Sequence, residues 1–334
     1  MLGITSSLAL LLEQSPVPDT TRGGFEECPQ CGTSYDSGSG RCTKEGAKLT
    51  PLPYPRLLAR RYRFEQRLGE GGMGRVYQAF DTELERRVAV KLIRPDLTAS
   101  TEAAARFKRE AKAAASFAHP NVVTAHDFGM AEDRRAYLVM ELLKGCTLRQ
   151  EIHQRGCLPA VRALWILRDV CSAVDAAHKQ RLLHRDLKPE NIFIVCAGSR
   201  ETAKILDFGV AKPIAPGYEP RTVGETGSGV LVGTVKYMSP EQLCGEKPSE
   251  SWDLWALAVV AYEMLTGADP FVDAELSERR KSMLAGRVTP LQTRLPEAPA
   301  SWQRFFDRAL AIGIESRPAS ALQLFSDFKE SISS

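Results

Sequence analysis

The sequence lacks an apolar stretch that could cross a membrane. A membrane helix needs about 18 or more consecutive apolar residues, and the two best stretches, Leu8–Leu12 and Leu254–Tyr262, are much shorter. No positive charge precedes the first of them, so it does not match a secretory signal. We therefore expect no membrane span in this chain and a cytoplasmic location.

The chain also lacks an excess of either charge. Its 44 Lys and Arg residues oppose 41 Asp and Glu residues, whereas nucleic-acid-binding domains carry clustered excess base. We expect no nucleic-acid partner. One local cluster of arginines is interpreted as a solvated linker that enters an edge strand; its members are Arg56, Arg60, Arg61, Arg63 and Arg67.

Cysteine is too sparse and too scattered for a disulfide framework, with eight residues in a chain of 334. This usage is typical of a reduced compartment. Hydrophobic residues at 43% and charged residues at 25% are ordinary globular values. The length suits one large domain, or two lobes with an appendage.

One octapeptide carries the strongest chemical signal. Residues 184–191 read HRDLKPEN and fit the pattern H-R-D-L-x-x-x-N of a kinase catalytic loop. A bare HRD on a solvated loop has little meaning, but the full octapeptide is specific. From Tyr62 to Phe328 the chain resembles the eukaryotic-type (Hanks-type) Ser/Thr protein kinases of bacteria.

This resemblance implies an α+β fold with two lobes, a small β-rich N-lobe with helix αC and a larger helical C-lobe. It also implies ATP with Mg²⁺ or Mn²⁺ as cofactors. Phosphoryl transfer depends on alignment and charge neutralisation more than on covalent help. Asp186 then orients the substrate hydroxyl, Lys188 reaches the transferring phosphate, and Asn191 offers an amide oxygen to the metal.

A glycine-rich stretch precedes the loop. Residues 69–76 read GEGGMGRV, and their glycines let the backbone approach phosphates. A Rossmann turn has a similar pattern but opens a helix, whereas Val76–Phe80 continues as a strand. The resemblance assigns to the ATP site Gly69, Glu70, Gly71, Gly72, Met73, Gly74, Val76 and Ala89.

Three further residues belong to the implied ATP site. Lys91 ends an apolar strand, where an ammonium is costly unless it is paired. The resemblance gives it the α- and β-phosphates, with Glu110 of a predicted helix over 103–118 as its partner. Asp207 of the Asp-Phe-Gly triplet chelates Mg²⁺ together with Asn191. Taken alone, Lys91 also fits a surface lysine, Glu110 a solvated helix face and Asp207 a simple turn. These interpretations lose weight because the motifs occur together in the family's order.

A buried strand is predicted over 137–142, and it runs into the hinge between the lobes. By resemblance the backbone from Glu141 to Leu143 hydrogen-bonds adenine, and Met140 is the gatekeeper residue. A methionine in such a strand is more often simply part of the core.

The activation segment ends at the triplet Ser239-Pro240-Glu241, where the family usually has Ala in place of Ser. By resemblance Arg317 forms an ion pair with Glu241, and Asp253 anchors the catalytic loop. Within the segment we expect autophosphorylation, with a homodimer as a possible arrangement. A phosphate there would dock on Arg185; the candidate acceptors are Thr222, Thr226 and Ser228.

A cysteine motif lies ahead of the kinase motifs. Cys28 and Cys31 form a C-x₂-C knuckle, Cys42 follows, and Glu45 stands where a fourth ligand is expected. The segment resembles short zinc ribbons that precede some bacterial Ser/Thr kinases. A structural zinc site takes four ligands, and carboxylate oxygen is an allowed one. The alternatives are a metal-free ribbon and a disulfide.

The expected organisation has a disordered N-terminus over 1–24 and a zinc-ribbon-like segment over 25–50. A linker over 51–61 then leads to a kinase domain over 62–332, with lobes at about 62–141 and 145–332. The predicted function is transfer of the ATP γ-phosphate to Ser/Thr hydroxyls of protein substrates. Two alternatives stay open. A pseudokinase scaffold usually lacks the lysine or an aspartate, and a small-molecule phosphotransferase usually lacks Lys188 and the Ser-Pro-Glu triplet.

Overall fold

The computed structural model describes residues 24–98, 100–133, 135–197, 200–208, 235–271 and 276–333. The expected disordered N-terminus and the candidate phosphorylation sites lie outside these residues. The chain divides into two units, one of residues 1–68 and 77–87 and the other of residues 69–76 and 88–334.

The first unit begins with a small antiparallel sheet in the order β2-β1-β3. Its strands are β1 (Phe25–Glu27), β2 (Ser34–Asp36) and β3 (Thr50–Leu52). A fourth short strand, β4 (Leu57–Leu58), pairs with the start of β5 (Tyr62–Gly71).

The expected linker over 51–61 therefore contains strand structure. Pro51 lies in β3 opposite Glu26. Because β3 is at the edge of its sheet, a residue without a backbone N–H is tolerated there.

Four buried aromatic rings form the core of this unit. Phe25, Tyr54, Phe64 and Tyr77 are each at most 6% exposed, with ring centroids 4.6 to 6.4 Å apart. Such pairs contribute about 0.5–1.5 kcal/mol each beyond the area they bury. The cysteine segment, the expected linker and the first kinase strands thus share one core.

Part of the arginine cluster differs from the solvated linker that we expected, since Arg60 and Arg63 are exposed but the other three are half-buried. Arg61 makes a bidentate contact with the buried Asp81 at 2.7 and 2.8 Å, and these hydrogen bonds hold the pKa of Asp81 below its usual value. Arg56 pairs with Asp36 at 2.9 Å. These arginines are positioned by ion pairs inside the first unit.

Three strands carry the chain between the two units: β5, β6 (Gly74–Asp81) and β7 (Arg86–Ile93). In the second unit an antiparallel sheet has the order β7-β9-β8, with β8 (Ala125–Met130) and β9 (Ala136–Glu141). Helix α1 (Thr101–Ser116) precedes it. The predicted helix over 103–118 and the predicted strand over 137–142 are thus both present.

The remainder of the second unit is mainly helical, with a small sheet in the order β10-β11-β12. The strands are β10 (Gly145–Thr147), β11 (Ile192–Ala197) and β12 (Arg200–Ile205). The helices are α2 (Leu148–Arg155), α3 (Ala160–Lys179), α4 (Pro240–Leu243), α5 (Glu250–Thr266), α6 (Leu276–Leu284), α7 (Ala300–Ala309) and α8 (Ala321–Ser333).

Helix α5 is the centre of this part, since its side chains from Ser251 to Leu265 are all buried. Around it the other helices complete a large apolar core. Over the described ranges, no helix has both the length and the apolar character that crossing a bilayer requires.

The expected ion pair between Glu241 and Arg317 is present and buried. The guanidinium donates to both carboxylate oxygens at 2.9 Å, and Ser251 Oγ donates to the same carboxylate at 2.6 Å. Burial raises the pKa of Glu241, but the hydrogen bonds from Arg317 and Ser251 outweigh it and lower the pKa overall. The substituted Ser239 caps α4, because its side chain accepts from the N–H of Gln242.

Replacing Arg317 by Met should lower the free energy of unfolding by about 3–5 kcal/mol at neutral pH, because it leaves a buried carboxylate unpaired. Because the pair depresses the folded-state pKa of Glu241, its contribution is present above the unfolded pKa and is lost as the pH falls through the folded value. The difference in the free energy of unfolding between wild type and variant should therefore become smaller toward acidic pH. Urea unfolding across pH measures this.

Arg308→Met is the matched control. Arg308 pairs with Asp327 at 3.1 Å, but its side chain is 56% exposed, so the cost should stay below about 1 kcal/mol. Equal losses in the two variants would contradict a special role for the buried pair.

Candidate active site

A buried aspartate of α5 fixes the loop that carries the catalytic octapeptide. Asp253 is 1% exposed and accepts hydrogen bonds from the backbone N–H groups of His184 and Arg185, both at 2.8 Å. The ring Nε2 of His178 lies 2.9 Å from the same carboxylate. Arg185 has a φ of 64°, which costs on the order of 1–3 kcal/mol for such a residue. The contacts with Asp253 stabilise that conformation.

The structure brings three of the predicted catalytic residues together on this loop. Lys188 Nζ lies 3.1 Å from Asp186 Oδ2. The amide nitrogen of Asn191 donates to the backbone oxygen of Asp186 at 2.8 Å and to its Oδ2 at 3.3 Å. Because the amide nitrogen is used within the loop, the amide oxygen of Asn191 is the atom that a cation would bind.

The structure also brings Lys91 and Asp207 into contact, although they are 116 residues apart. Lys91 Nζ donates to Asp207 Oδ2 at 2.6 Å, and the lysine is 7% exposed. Asp207 has a φ of 55°. Its other oxygen, Oδ1, is buried and has no hydrogen-bond partner among the described residues.

Backbone and ring contacts join this pair to the catalytic loop. The N–H of Leu206 donates to the backbone oxygen of Asn191 at 2.8 Å, and His184 Nε2 lies 2.9 Å from Leu206 O. Phe208 packs edge-on against the rings of His184 and Phe117, with centroids 5.1 and 5.4 Å apart. The lysine–aspartate pair and the catalytic loop are therefore parts of one site.

The donor set fits a magnesium nucleotide. Mg²⁺ prefers oxygen ligands and takes few from protein when phosphates supply the rest. Asp207 Oδ1 is a buried carboxylate oxygen without a partner among the described residues, and such an atom calls for one. Asn191 is the second ligand that the sequence predicts, and Lys91 would meet the phosphate charge.

An apolar cluster in the same unit suits a purine ring. Ala89, Leu138 and Met140 are buried together, with Val76 and Leu142 against them. Met140 stands opposite Ala89 in the sheet, as a gatekeeper residue would. Val76, Ala89 and Met140, predicted separately, thus lie in one cluster.

Glu141, at the end of β9, forms hydrogen bonds through both its backbone and its side chain. Its N–H donates to Thr124 O at 2.9 Å, and Lys204 Nζ lies 2.5 Å from its carboxylate. Burial raises the pKa of Glu141, but Lys204 and the N–H of Thr124 outweigh it and lower the pKa overall. Leu143 follows and is half-buried.

Some predicted site residues lie outside what is described. The side chain of Glu110 does, so its pairing with Lys91 stays a prediction. Residues 209–234, with Thr222, Thr226 and Ser228, also lie outside. Arg185, the expected docking point for a phosphate, has a buried Nε without a hydrogen-bond partner among the described residues.

Two positioning residues were missed from the sequence. Asn121 accepts from the N–H of Ile205 at 2.8 Å on its backbone and donates to Ala203 O at 2.9 Å. Asp169 of α3 accepts from the N–H of Ala203 at 3.1 Å. Together they fix β12, the strand that leads to Asp207. The available signal was Asn121 itself, a polar residue between Pro120 and the apolar pair Val122 and Val123.

The cysteine motif forms a compact group in the first unit. The sulfur atoms of Cys28, Cys31 and Cys42 lie within 4.8 Å of one another. Burial raises the pKa of Cys28. For Cys42 burial also raises the pKa, but hydrogen bonds from Tyr35 and from the N–H of Glu45 outweigh it and lower the value to about 6.

The predicted fourth ligand is not part of that group. The carboxylate of Glu45 is exposed and is not among the ligand atoms that lie within 4.8 Å. Its backbone N–H instead donates to Cys42 Sγ at 3.3 Å. The sequence spacing therefore put Glu45 in the right turn without bringing its side chain to the sulfurs.

A β-rich N-terminal part, a helical C-terminal part and the site described above define the class as an α+β protein kinase with two lobes. The chain belongs to the protein kinase family, since the model of the protein kinase domain matches residues 62–327. The resemblance to bacterial Ser/Thr kinases is confirmed by its relatives.

Serine/threonine-protein kinase pkn3 of Myxococcus xanthus is 37% identical over 269 residues, covering 80% of this chain and 49% of that protein. Probable serine/threonine-protein kinase PknB of Lactococcus lactis is 34% identical over 279 residues, covering 83% and 43%. The chain thus spans about half the length of these relatives or less. The crystal structure of the PknI kinase domain of Mycobacterium tuberculosis is similar with a TM-score of 0.66, at 26% identity over 83% of this chain and 97% of that one.

Two glycines of the hairpin give a matched test of its role. A Cβ at Gly74, where φ is +145°, would meet Leu92 O at 1.8 Å, whereas a Cβ at Gly69 would meet no described atom within 4 Å. Gly74→Ala should therefore cost on the order of 1–3 kcal/mol of stability. Gly69→Ala should leave stability within about 1 kcal/mol but weaken Mg-ATP binding, because phosphates approach that backbone. Thermal unfolding and ATP titration measure the two effects.

Gly69→Ala with unaltered affinity for Mg-ATP would show that the hairpin does not cover the phosphates.

Proposed function

We propose that this chain is a protein-serine/threonine kinase that transfers the γ-phosphate of ATP to Ser/Thr hydroxyls of protein substrates. The observation that carries the proposal is the contact of Lys91 with Asp207 in a site joined by Leu206 to the catalytic loop. A buried lysine beside a carboxylate, one of whose oxygens has no hydrogen-bond partner in the described part of the chain, suits a metal-bound polyphosphate better than it suits a structural ion pair.

Each polar group then has one task. Asp186 accepts a hydrogen bond from the substrate hydroxyl and takes its proton, while Lys188, 3.1 Å away, stabilises charge on the transferring phosphate. Lys91 binds the non-transferred phosphates. Asp207 and Asn191 hold Mg²⁺, which when bound neutralises phosphate charge. Alignment of these groups in advance supplies most of the catalysis expected for this reaction.

The two other candidate functions have less support. A scaffold without activity needs none of Lys91, Asp186 and Asp207, yet all three are present and two of them are in direct contact. A phosphotransferase for small molecules does not require the Glu241–Arg317 pair, which is buried here. The relatives are named as serine/threonine-protein kinases.

We further propose regulation by autophosphorylation in the activation segment, at Thr222, Thr226 or Ser228, between two copies of the chain. The support is Arg185, whose Nε is buried without a hydrogen-bond partner among the described residues. A phosphate carries about −1.5 to −2 charge and accepts strong hydrogen bonds from arginine. Its docking on Arg185 would hold the phosphorylated residue next to Asp186.

Replacing Asp186 by Asn should lower the transfer rate by about 10²–10⁴-fold, because the general base is lost, while Mg-ATP affinity is retained. The assay follows labelled phosphate from ATP into a generic protein acceptor. Mass spectrometry of the same reactions should find phosphate at Thr222, Thr226 or Ser228 in wild type only. Transfer between two copies predicts a rate of modification per chain that rises with protein concentration.

Equal labelling by wild type and Asp186→Asn would overturn the assignment of the base. A segment without phosphate, in a wild type that modifies the acceptor, would overturn the autophosphorylation proposal alone.

We also propose a structural Zn²⁺ on Cys28, Cys31 and Cys42, with Glu45 as the fourth ligand after a change of its side-chain rotamer. The support is the group of three sulfurs within 4.8 Å and the turn that carries Glu45 next to Cys42. A metal-free segment and a disulfide between Cys31 and Cys42, whose sulfurs are 3.7 Å apart, are the alternatives.

Purified protein should contain about one zinc per chain, and Cys31→Ser should lose it. Cys157→Ser, at an exposed cysteine that is not a member of the group, is the matched control and should keep it. Glu45→Gln should weaken zinc binding in a chelator titration. Elemental analysis makes the first measurement. A wild type without zinc refutes the site, and an unaltered Glu45→Gln refutes only the fourth ligand.

A further inference from the structure

The two strand ends that flank the glycine hairpin bind the same carboxylate. In sequence Arg67 comes two residues before Gly69, and Tyr77 directly follows Val76. Arg67 Nε donates to Glu27 Oε1 at 2.7 Å, and the Tyr77 hydroxyl donates to Glu27 Oε2 at 2.9 Å. Glu27 belongs to β1, far outside the kinase motifs. Each of its oxygens thus holds one end of the hairpin.

The environment makes these bonds strong and directional. Glu27 is 6% exposed and Tyr77 is fully buried. Hydrogen bonds to a charged group are about twice as strong as neutral ones, and exclusion of water strengthens them further. Tyr54 adds a second contact, since its hydroxyl lies 2.8 Å from that of Tyr77. A shift of either strand end would break a buried, charge-assisted bond.

The cysteine knuckle holds the same strand through its backbone. The N–H of Arg67 donates to Gly32 O at 2.8 Å, and Gln66 Nε2 donates to Cys31 O at 2.9 Å. Thr33 pairs with Gln66 as an isolated bridge. Gly32 has a φ of +71°, and a Cβ there would meet Arg67 O at 2.8 Å. Only glycine allows this close approach of knuckle and strand.

We propose that residues 25–54 are a positioning element for the binding of Mg-ATP, in which Glu27 fixes the two ends of the glycine hairpin relative to each other. This inference rests on the proposed kinase function. The hairpin residues 69–76 are connected by peptide bonds to Arg67 through Leu68 and directly to Tyr77, so the separation of these two ends restricts how the hairpin closes over phosphates. Glu27 acts through Arg67 and Tyr77 and is a positioning residue.

The effect should appear in nucleotide binding and not in the chemical step. Contacts from the hairpin to the non-transferred phosphates are equal in the ground state and the transition state. Weakening such uniform binding raises KM and leaves kcat unchanged. We therefore expect Glu27→Gln, which keeps the size but removes the charge, to raise Kd and KM for Mg-ATP about tenfold, with kcat within about twofold. Tyr77→Phe, which removes one hydroxyl, should shift both constants in the same direction by about threefold.

Glu26→Gln is the matched control, on the same strand next to Glu27. The Glu26 carboxylate accepts from the N–H of Gly40 at 2.8 Å, and a Gln side chain can still accept that bond. Its Kd and KM for Mg-ATP should equal those of wild type.

A double variant separates positioning from stability. Glu27→Gln removes the buried negative charge beside Arg67, and the addition of Arg67→Met removes the positive charge that it balanced. The unfolding temperature should recover in the double variant, while Kd for Mg-ATP stays raised. If Glu27 were merely structural, the unfolding temperature and the Kd for Mg-ATP would both return to their wild-type values.

Kd is measured by titration of the full chain with Mg-ATP, without turnover. Wild-type Kd in folded Glu27→Gln and Tyr77→Phe would overturn the inference, as would recovery of Kd with stability in the double variant. A wild type that binds Mg-ATP but transfers no phosphate overturns the proposed function, and the comparison of Kd values still decides the role of Glu27. A folded wild type that binds no Mg-ATP overturns both.

Discussion

The catalytic loop depends on one buried carboxylate, that of Asp253. It satisfies two backbone N–H groups of a loop in which Arg185 has a positive φ. A buried N–H without a partner costs about 1–3 kcal/mol, so loss of this carboxylate would release the loop. Asp253 belongs to α5, which is buried along its length. The catalytic loop that carries Asp186 is therefore attached to the helical core.

Two of the buried polar atoms that have no hydrogen-bond partner among the described residues belong to Asp207 and Arg185, and they favour partners of opposite charge. The carboxylate oxygen Oδ1 of Asp207 favours a cation as its partner, while the guanidinium nitrogen Nε of Arg185 favours an anion. Native proteins leave few buried polar atoms without partners, so each one needs a structural or functional explanation. The acceptor on Asp207 suits the metal ion of a metal-bound nucleotide, and the donor on Arg185 suits the phosphate of a phosphorylated segment. Such fixed groups lower the reorganisation that the reaction requires.

The sequence could relate residues that lie far apart in the chain because kinase motifs have a fixed order. That order relates Lys91 to Asp207 and Glu241 to Arg317, pairs that lie 116 and 76 residues apart. Strands β3 and β4 were missed because two or three residues with nearby prolines show no periodicity. Glu27 was missed because it is one of 41 acidic residues, and its partners are 40 and 50 residues away. Spacing alone could not orient the side chain of Glu45.

The first unit has its own core, and this changes how the N-terminal segment is understood. The Phe25 and Tyr54 rings cover those of Phe64 and Tyr77, which belong to β5 and β6. Without the segment these two kinase residues would lose their apolar cover, and Arg67 would lose its buried partner. The family match at 62–327 therefore begins inside a structural unit and not at its edge. A kinase domain cut at that point would lack part of the core that packs against the first kinase strands.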